Sequence, residues 1–508
     1  MHIGGRPITR GSSRASDAVF VLLGLIYVAC WAMLLWWYPV GEYLDILHFS
    51  FADLPGKFHS PLLHGTGCLF IVLVLVYLAS ILLMYATDRI STLWKWAVLL
   101  TLASAIIINV FIYPVAAQDV FNYILNSKIA YHYGENPYLV TIQTHPSEPF
   151  VHHGFLWHAP LGYGPVWLIL AGIPSLISGF RTLQATLIAF KSFNAVFLVL
   201  TALAIFFSQK DKKSRWLALF VFLGNPLVLF EGVANGHNDA MVAAFLCLAL
   251  LAHKRRSWLD LPLVTLSALV KPFSAALFPL FFVASLVRDR TFRRLGLGVL
   301  VSLLCVAVTF APFWSGGSAL VGMLRGMSLY SGMNSVSLFA LTRQWARIAN
   351  VSVQQEFYIH YAFIVLFVFS LLSLAQRLWQ DRDLERAIVD AFLLFVILVS
   401  TLYAWYLIPV FSVIALTRRR GEMAFLLCST LLPLCSYVVA VWFWWYIRWP
   451  DPIVRQLAFA VFLTLPIIGF LCFRLIPHGR TDRESHEHQA AAVSSQKTTS
   501  PKGPRSIK

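Results

Sequence analysis

Apolar residues in this chain gather in long unbroken blocks and do not alternate with polar ones. Val19–Val40, Leu62–Ala86, Trp94–Ala117, Ala185–Ser208, Gly296–Phe313, Tyr361–Ala375 and Ala424–Tyr446 read this way. A bilayer core of about 30 Å takes roughly 20 such residues per helix, because nothing in lipid satisfies a backbone N–H or C=O except the helix itself. Several blocks reach that length and the rest approach it. The pattern predicts an all-α fold, a polytopic transmembrane helical bundle of about 12–14 spans. The first block is too long for a signal-peptide core and has no small-residue cleavage site, so it is expected to remain as the first span.

Short basic clusters punctuate the blocks: Arg6/Arg10/Arg14, Arg89/Lys95, Lys210/Lys212/Lys213/Arg215, Lys254/Arg255/Arg256, Arg288/Arg290/Arg293/Arg294, Arg377/Arg382/Arg386 and Arg418/Arg419/Arg420. Placed together on the cytoplasmic side, they require every intervening segment to leave that side and return. Ser257–Val287 must then be a hairpin of two short helices broken near Lys271-Pro272. Ala387–Thr417 must be another, broken near Tyr403-Ala404-Trp405-Tyr406. The same parity puts the loop Gln118–Gly162, the turn Asn235–Asp239 and the loop Ser315–Glu356 outside. It leaves Val166–Phe180, with Pro174 inside it, as a re-entrant or interfacial helix. Aromatic anchors at Trp36, Trp37 and Tyr38, and at Trp444, Trp445, Tyr446 and Trp449, suit the outer ends.

This organisation gives three regions: a cytoplasmic N-terminus (1–17), a membrane module (18–476) with an outer loop at 118–165, and a basic cytoplasmic tail (477–508). The tail is rich in Ser, Lys and Pro and is expected to be disordered. The expected location is the plasma (inner) membrane. Composition agrees: 59% of the 508 residues are apolar and only 12% charged, against about 25% charged in soluble domains. The net charge of +16 would suit nucleic acid only if it formed a patch, and its dispersal between spans argues for membrane orientation instead. Seven cysteines, Cys30, Cys68, Cys247, Cys305, Cys428, Cys435 and Cys472, lie in or beside the blocks with no metal-ligand spacing, as small buried residues would.

Four constellations carry candidate chemistry. Gln118-Asp119-Val120-Phe121-Asn122-Tyr123 runs on to Gly134-Glu135-Asn136-Pro137-Tyr138. Its first part can form an interfacial helix with Phe121, Leu125 and Ile129 toward lipid and with Asp119 and Tyr123 on one face. Gly134 should end that helix and Asn136-Pro137 should turn the chain. Asp119 is then either a helix cap or a reacting acid. Asn225-Pro226, Glu231 and Asn235-Gly236-His237-Asn238-Asp239 crowd a short turn, where a cap would need only one such residue. The excess favours a sugar or phosphate site. Lys271, at a helix break, either snorkels to the interface or meets an anionic headgroup. Tyr163-Gly164-Pro165-Val166-Trp167 taken alone is a turn into an aromatic anchor. The loop histidines His132, His145, His152, His153 and His158 lack a Cys or carboxylate at zinc-ligand spacing. No phosphate loop, dinucleotide fingerprint or HExxH is present.

In this order the four pieces resemble the GT-C superfamily of integral-membrane glycosyltransferases, and within it the bacterial polyprenyl-phosphate-mannose-dependent α-mannosyltransferases. The resemblance rests on Asp119 to Tyr123, Gly134 to Tyr138, Tyr163 to Trp167, Asn225-Pro226-Leu227, Asn235 to Asp239, and Trp405 to Pro409. It covers about 94–411. Ser127-Lys128 stands where family members often have Gly-Arg.

The resemblance implies an inverting transfer of a sugar, with mannose as the expectation, from a polyprenyl-phosphate donor to a lipid- or polymer-linked glycan acceptor. The site would face the non-cytoplasmic side. Asp119 would be the general base. Tyr123, Lys128, Asn136, Tyr138, Tyr163, Asn235, His237, Asn238, Asp239, Lys271 and Tyr406 would bind donor or acceptor. No cofactor is expected, since the second acidic pair of metal-dependent oligosaccharyltransferases is missing, although a divalent metal stays open. Partners would be the lipid-linked donor, the glycan acceptor and membrane lipid, with no nucleic acid. A transporter or flippase remains an alternative, because broken helices with polar breaks serve transporters too. A polysaccharide polymerase or ligase is another, given Arg325, Arg343 and Arg347 in the loop 315–356.

Overall fold

The computed structural model describes residues 10–46, 61–87, 90–154, 156, 158–288, 292–331, 337–398, 402–446 and 452–475. Residues 1–9, the basic tail 477–508 and Trp449 lie outside the described residues. The chain divides into a body, Met1–Ile467, and a small C-terminal unit, Ile468–Lys508. Within the latter, the Arg474 guanidinium lies over the Phe470 ring.

Among the described residues the structure is helical, apart from isolated bridges at Pro39–Ile112 and Ser315–Gly317. The helices are α1 (Arg10–Trp37), α2 (Pro61–Ala86), α3 (Thr92–Phe111), α4 (Asp119–Tyr131), α5 (Pro165–Ser178), α6 (Leu183–Ser208), α7 (Lys212–Leu223), α8 (Pro226–Leu229), α9 (Asp239–Lys254), α10 (Asp260–Val270), α11 (Phe278–Arg288), α12 (Phe292–Phe310), α13 (Gly317–Ser331), α14 (Leu338–Ile348), α15 (Val353–Asp381), α16 (Leu384–Leu398), α17 (Leu407–Thr417), α18 (Arg420–Tyr446) and α19 (Pro452–Leu475). Among the described residues seven helices are long and apolar enough to cross a membrane, and α7 with 226–234 makes an eighth candidate bent by 54°. Leu22, Leu25, Leu300, Leu303, Val365 and Phe369 point out from the helix flanks, as lipid-facing residues do. The molecule is a polytopic helical membrane bundle.

The basic clusters meet at one end of this bundle. Ser91 caps α3 and donates to Asp17 at 3.1 Å. Lys213 donates to the Tyr85 carbonyl at 3.0 Å, and Arg418 to Gln209 at 2.9 Å. Lys254 pairs with Glu385 at 3.1 Å, and Arg419 with Asp383 at 2.8 Å. The last of these contacts joins the start of α16 to the residues after α17, so the segment leaves this end and returns to it. Likewise Asp260 at the start of α10 accepts from Ser285 near the end of α11 at 2.7 Å, with Arg288 at 3.7 Å. Both expected hairpins therefore form, with breaks at Lys271 and at the 3-10 turn Ala404–Tyr406. Helix α5 spans 14 residues, too short to cross an unthinned bilayer. It runs alongside α4 in the same direction, with Trp167 beside Tyr123 and Phe180 beside His132.

Two expectations need correction. Phe121, Leu125 and Ile129 do not face lipid: all three are buried. Ile142 and Val151 of the following loop pack onto Leu125 and Ile129, with Val140 and Phe150 beside them. An apolar stripe looks the same whether lipid or a folded loop covers it, and here the loop's own apolar residues supply the cover. The cysteines are all free, but only Cys30 and Cys247 are buried, while Cys68, Cys428 and Cys472 are exposed on helix flanks.

Asp260 also lies 2.9 Å from His253 Nδ1 and accepts from the Leu261 N–H at 2.9 Å. Replacing it with Ala strands these donors at the closed end of the hairpin, at a cost on the order of 3 kcal/mol. Thermal unfolding of Asp260→Ala in detergent should show a clear drop, with Asp260→Asn milder. An unchanged melting temperature would show that the staple contributes nothing.

Candidate functional site

The helix breaks lie away from the end that carries the basic clusters. Asn225 closes α7 and restarts the chain. Its Oδ1 accepts from Leu227 and Val228 N–H at 2.9 and 3.2 Å, Pro226 takes the first helical position, and its Nδ2 donates to Thr430 at 2.7 Å. A π turn, Phe230–Ala234, follows and aims Glu231 inward. Gly236 then adopts φ +75°, a left-handed backbone that a side chain would strain, and a Cβ there would crowd Val120 and Lys191. Asn194 donates to the Gly236 carbonyl at 2.5 Å, and Lys191 donates to the carbonyl of Ile112.

Around this turn the polar side chains interlock. Glu231 Oε2 accepts from Asn235 at 3.0 Å, and Oε1 accepts from the Tyr437 hydroxyl at 2.6 Å. His237 Nδ1 faces the Glu231 carbonyl at 3.0 Å and its Oε2 at 3.2 Å. The imidazole lies flat on Trp405, with ring centres 3.9 Å apart, and Trp405 in turn stacks on Tyr403 at 4.5 Å. His237 Nε2 points to Asp119 Oδ2, 3.6 Å away. Asp119 opens α4, and one turn later Tyr123 donates to Asn238 Oδ1 at 3.2 Å. Asn235 Oδ1 holds the approach to α4 by accepting from the Ala116 N–H at 3.4 Å.

Asp239, first residue of α9, accepts from Lys271 at 2.5 Å. The lysine does not snorkel to the interface: it is buried and paired with Asp239. Its ammonium lies 5.0 Å from the Tyr406 ring and 5.6 Å from that of Tyr163. Helix α5 is held against this break by the Gly164 N–H donating to Val270 O at 3.0 Å, and a Cβ on Gly164 would collide with the Leu269 carbonyl.

Three buried polar atoms in this cluster have no hydrogen-bond partner: His237 Nε2, Asn238 Nδ2 and Asp239 Oδ1. Each such atom costs about 1–3 kcal/mol, and three in consecutive residues of one turn mark a place for a polar ligand. Asp119 is the partly accessible member, its side chain 12% exposed where those of His237, Glu231 and Asp239 are sealed. Burial raises the Asp119 carboxyl above its ordinary value, and the positive charge of Lys271 opposes that shift. Among the described residues no group of three His, Cys, Asp or Glu side chains is placed to hold a metal ion.

The family model described as Alpha-(1->6)-mannopyranosyltransferase, N-terminal domain, matches residues 18–288, just over half of the chain. The chain belongs to this family. No curated protein matches the chain. The molecule is thus a GT-C mannosyltransferase, and the matched residues include Asp119, Glu231, the Asn235–Asp239 turn and Lys271.

Within this mannosyltransferase the expected site residues fall into two groups. Asp119, Tyr123, Tyr163, Asn235, His237, Asn238, Asp239, Lys271 and Tyr406 come together as described. Lys128 and Asn136 are engaged elsewhere, and the Tyr138 hydroxyl is held by the backbone beside the site. Lys128 pairs with Glu148 at 2.5 Å under the Phe150 ring. Asn136 caps its own turn through the Tyr138 N–H and donates to the Phe313 carbonyl at 2.8 Å. Tyr138 donates to the Tyr163 carbonyl at 3.0 Å. The sequence placed Glu231 in the polar constellation and Tyr403 and Trp405 at a helix break without naming them as site residues, and it singled out none of Tyr437, Lys191 and Asn194. The available signal was an acid, a lysine and an asparagine inside apolar helices, which a membrane rarely tolerates without function.

The loop after α4 depends on the Lys128–Glu148 pair. Burial alone would raise the Glu148 carboxyl, but Lys128, the Tyr133 hydroxyl and the Phe150 N–H outweigh it and hold the group below its ordinary value. A depressed folded-state value stabilises the loop above the unfolded value of about 4.3 and is lost as pH falls through the folded one. Hydrogen exchange in 132–154, after correction for intrinsic rates, should therefore accelerate as pH falls below the ordinary glutamate value of about 4.3 and through the depressed folded one. Glu148→Gln should show that fast exchange already at neutral pH. Protection indifferent to both changes would rule the staple out.

Proposed function

We propose that this mannosyltransferase is an inverting enzyme that moves mannose from a polyprenyl-phosphate donor to a glycan acceptor, lipid- or polymer-linked, on the non-cytoplasmic face of the plasma membrane. The observation that carries the reading is the partly accessible Asp119 carboxylate facing the unpartnered Nε2 of His237, whose turn also holds unpartnered atoms of Asn238 and Asp239, beside a lysine anchored at a helix break. The gathering of basic clusters at the opposite end supports the sidedness, since Lys and Arg favour cytoplasmic loops. A lipid-linked donor suits a site at the end of a bundle whose flanks face hydrocarbon.

In this reading an acceptor hydroxyl attacks the anomeric carbon while the bond from that carbon to the phosphate oxygen breaks on the opposite face, inverting the centre. Asp119 takes the hydroxyl proton, a contribution typically of 10²–10⁴-fold. Its raised proton affinity strengthens it as a base. The departing phosphate gains charge. Lys271 directs one N–H at Asp239 and retains others for that phosphate. Asn238 and Asp239 offer their unpartnered atoms to sugar hydroxyls, and Tyr163 and Tyr406 offer ring faces.

Membranes carrying the enzyme, given radiolabelled polyprenyl-phosphate mannose and an acceptor glycan, should accumulate labelled product. Asp119→Asn should cut the rate by about 10²–10⁴-fold while the purified variant still binds donor. Undiminished transfer by Asp119→Asn would remove the base assignment. Absence of donor-dependent product with the wild type would remove the polyprenyl-phosphate reading altogether.

A further inference from the structure

The buried acid behind the candidate site has no part in the reaction as described so far. Glu231 is fully buried, yet its carboxylate is completely provided for: Tyr437 donates to one oxygen at 2.6 Å, and Asn235 donates to the other at 3.0 Å. The same second oxygen and the residue's own carbonyl both face His237 Nδ1, at 3.2 and 3.0 Å. Two acceptors at Nδ1 require that nitrogen to carry a proton. The tautomer follows: in the neutral ring Nε2 holds the lone pair, and Nε2 is the atom that points at Asp119 without a hydrogen-bond partner.

We propose that Glu231 is a positioning residue that acts through His237, fixing the imidazole so that Nε2 can receive the proton that Asp119 takes from the acceptor. The O–H bond of the acceptor breaks, and its proton passes to Asp119 and then to Nε2. The resulting imidazolium sits between two carboxylates, Asp119 and Glu231, with Nδ1–H still donated to Glu231. Asp119 is returned to its charged form without waiting for water to reach a nearly closed site. Trp405 holds the ring plane from one side. The charged and titratable groups around the imidazole are Asp119 of α4, Glu231 backed by Tyr437 of α18, and the Asp239–Lys271 pair from α9 and the hairpin break. Asp239 and Lys271 neutralise each other, so Glu231 is the neighbour whose removal changes the charge felt by the ring most directly.

The inference rests on the transfer reaction proposed above, and the test separates the two. Full-length enzyme is assayed for transfer across a pH series as wild type, Glu231→Gln, His237→Asn and the double variant. Glu231→Gln keeps an acceptor for Nδ1–H but removes the negative charge that favours the imidazolium. Its kcat should fall about tenfold with little change in KM, and the acidic limb of its pH–rate profile should move at least half a unit lower. Adding Glu231→Gln to His237→Asn should cost nothing further, because the pathway is already cut. An unmoved acidic limb, or losses that multiply fully in the double variant, overturns the proposal. If Glu231→Gln does not fold, Tyr437→Phe decides: the carboxylate stays but loses a donor, so its charge weighs more on the ring and the limb should move higher. An unmoved limb in that variant likewise overturns it. A wild type that transfers nothing would reject the reaction itself, whereas an active wild type with an unmoved Glu231→Gln limb rejects only the role of Glu231.

Discussion

A charge inside a membrane bundle must be matched where it stands, since no solvent reaches it and an isolated cation there costs roughly 2.5–3.5 kcal/mol even by lenient scales. The Lys271–Asp239 pair answers that constraint at the candidate site. It joins two helix interruptions that are 32 residues apart in the chain and brings with it Tyr163 and Tyr406 from two more. Glu231 meets the same constraint through Tyr437, Asn235 and His237. The few polar atoms left over are then conspicuous beside Glu231 and Lys271, whose charges are matched.

These interruptions converge because the opposite end of the bundle is stapled. Asp260 with Ser285 and Arg288 closes one hairpin, and Asp383 with Arg419 closes the other. Two stiff helices joined at their far ends carry their broken tips to the same level. Helix breaks also free backbone groups that only side chains can satisfy. Asn225 and Asn194 serve in that way, capping α8 and holding the Gly236 carbonyl. The polar residues inside this membrane protein thus serve two purposes that cannot be told apart by type: some hold backbone, and some face the opening.

The region matched by the mannosyltransferase family, 18–288, holds the acids, the histidine and the lysine. The later helices contribute the surfaces those groups lean on. Trp405 and Tyr403 stack beneath His237, Tyr437 supports Glu231, and Thr430 fixes Asn225. The candidate site is therefore a joint product of both halves of the chain. In the same way, Asn136 reaches the Phe313 carbonyl and ties the loop after α4 to the segment before α13.

Block length and the placement of basic clusters determined, from sequence alone, that this is a helical membrane bundle and where its two hairpins break. Those properties follow from the bilayer, which acts on each segment by local composition and so leaves a local record. Ordered motifs also carried the likeness to GT-C mannosyltransferases that the family match shows. Only the tertiary structure decided which polar residues meet. Lys128 and Lys271 look alike as lysines among apolar neighbours, yet one clamps a loop to Glu148 and the other joins Asp239 beside the opening. Phe121, Leu125 and Ile129 form a stripe fit for lipid, and a loop took its place. Pairing partners lie tens to hundreds of residues apart, as Glu231 and Tyr437 do, and local sequence holds no term for the distance between them in space.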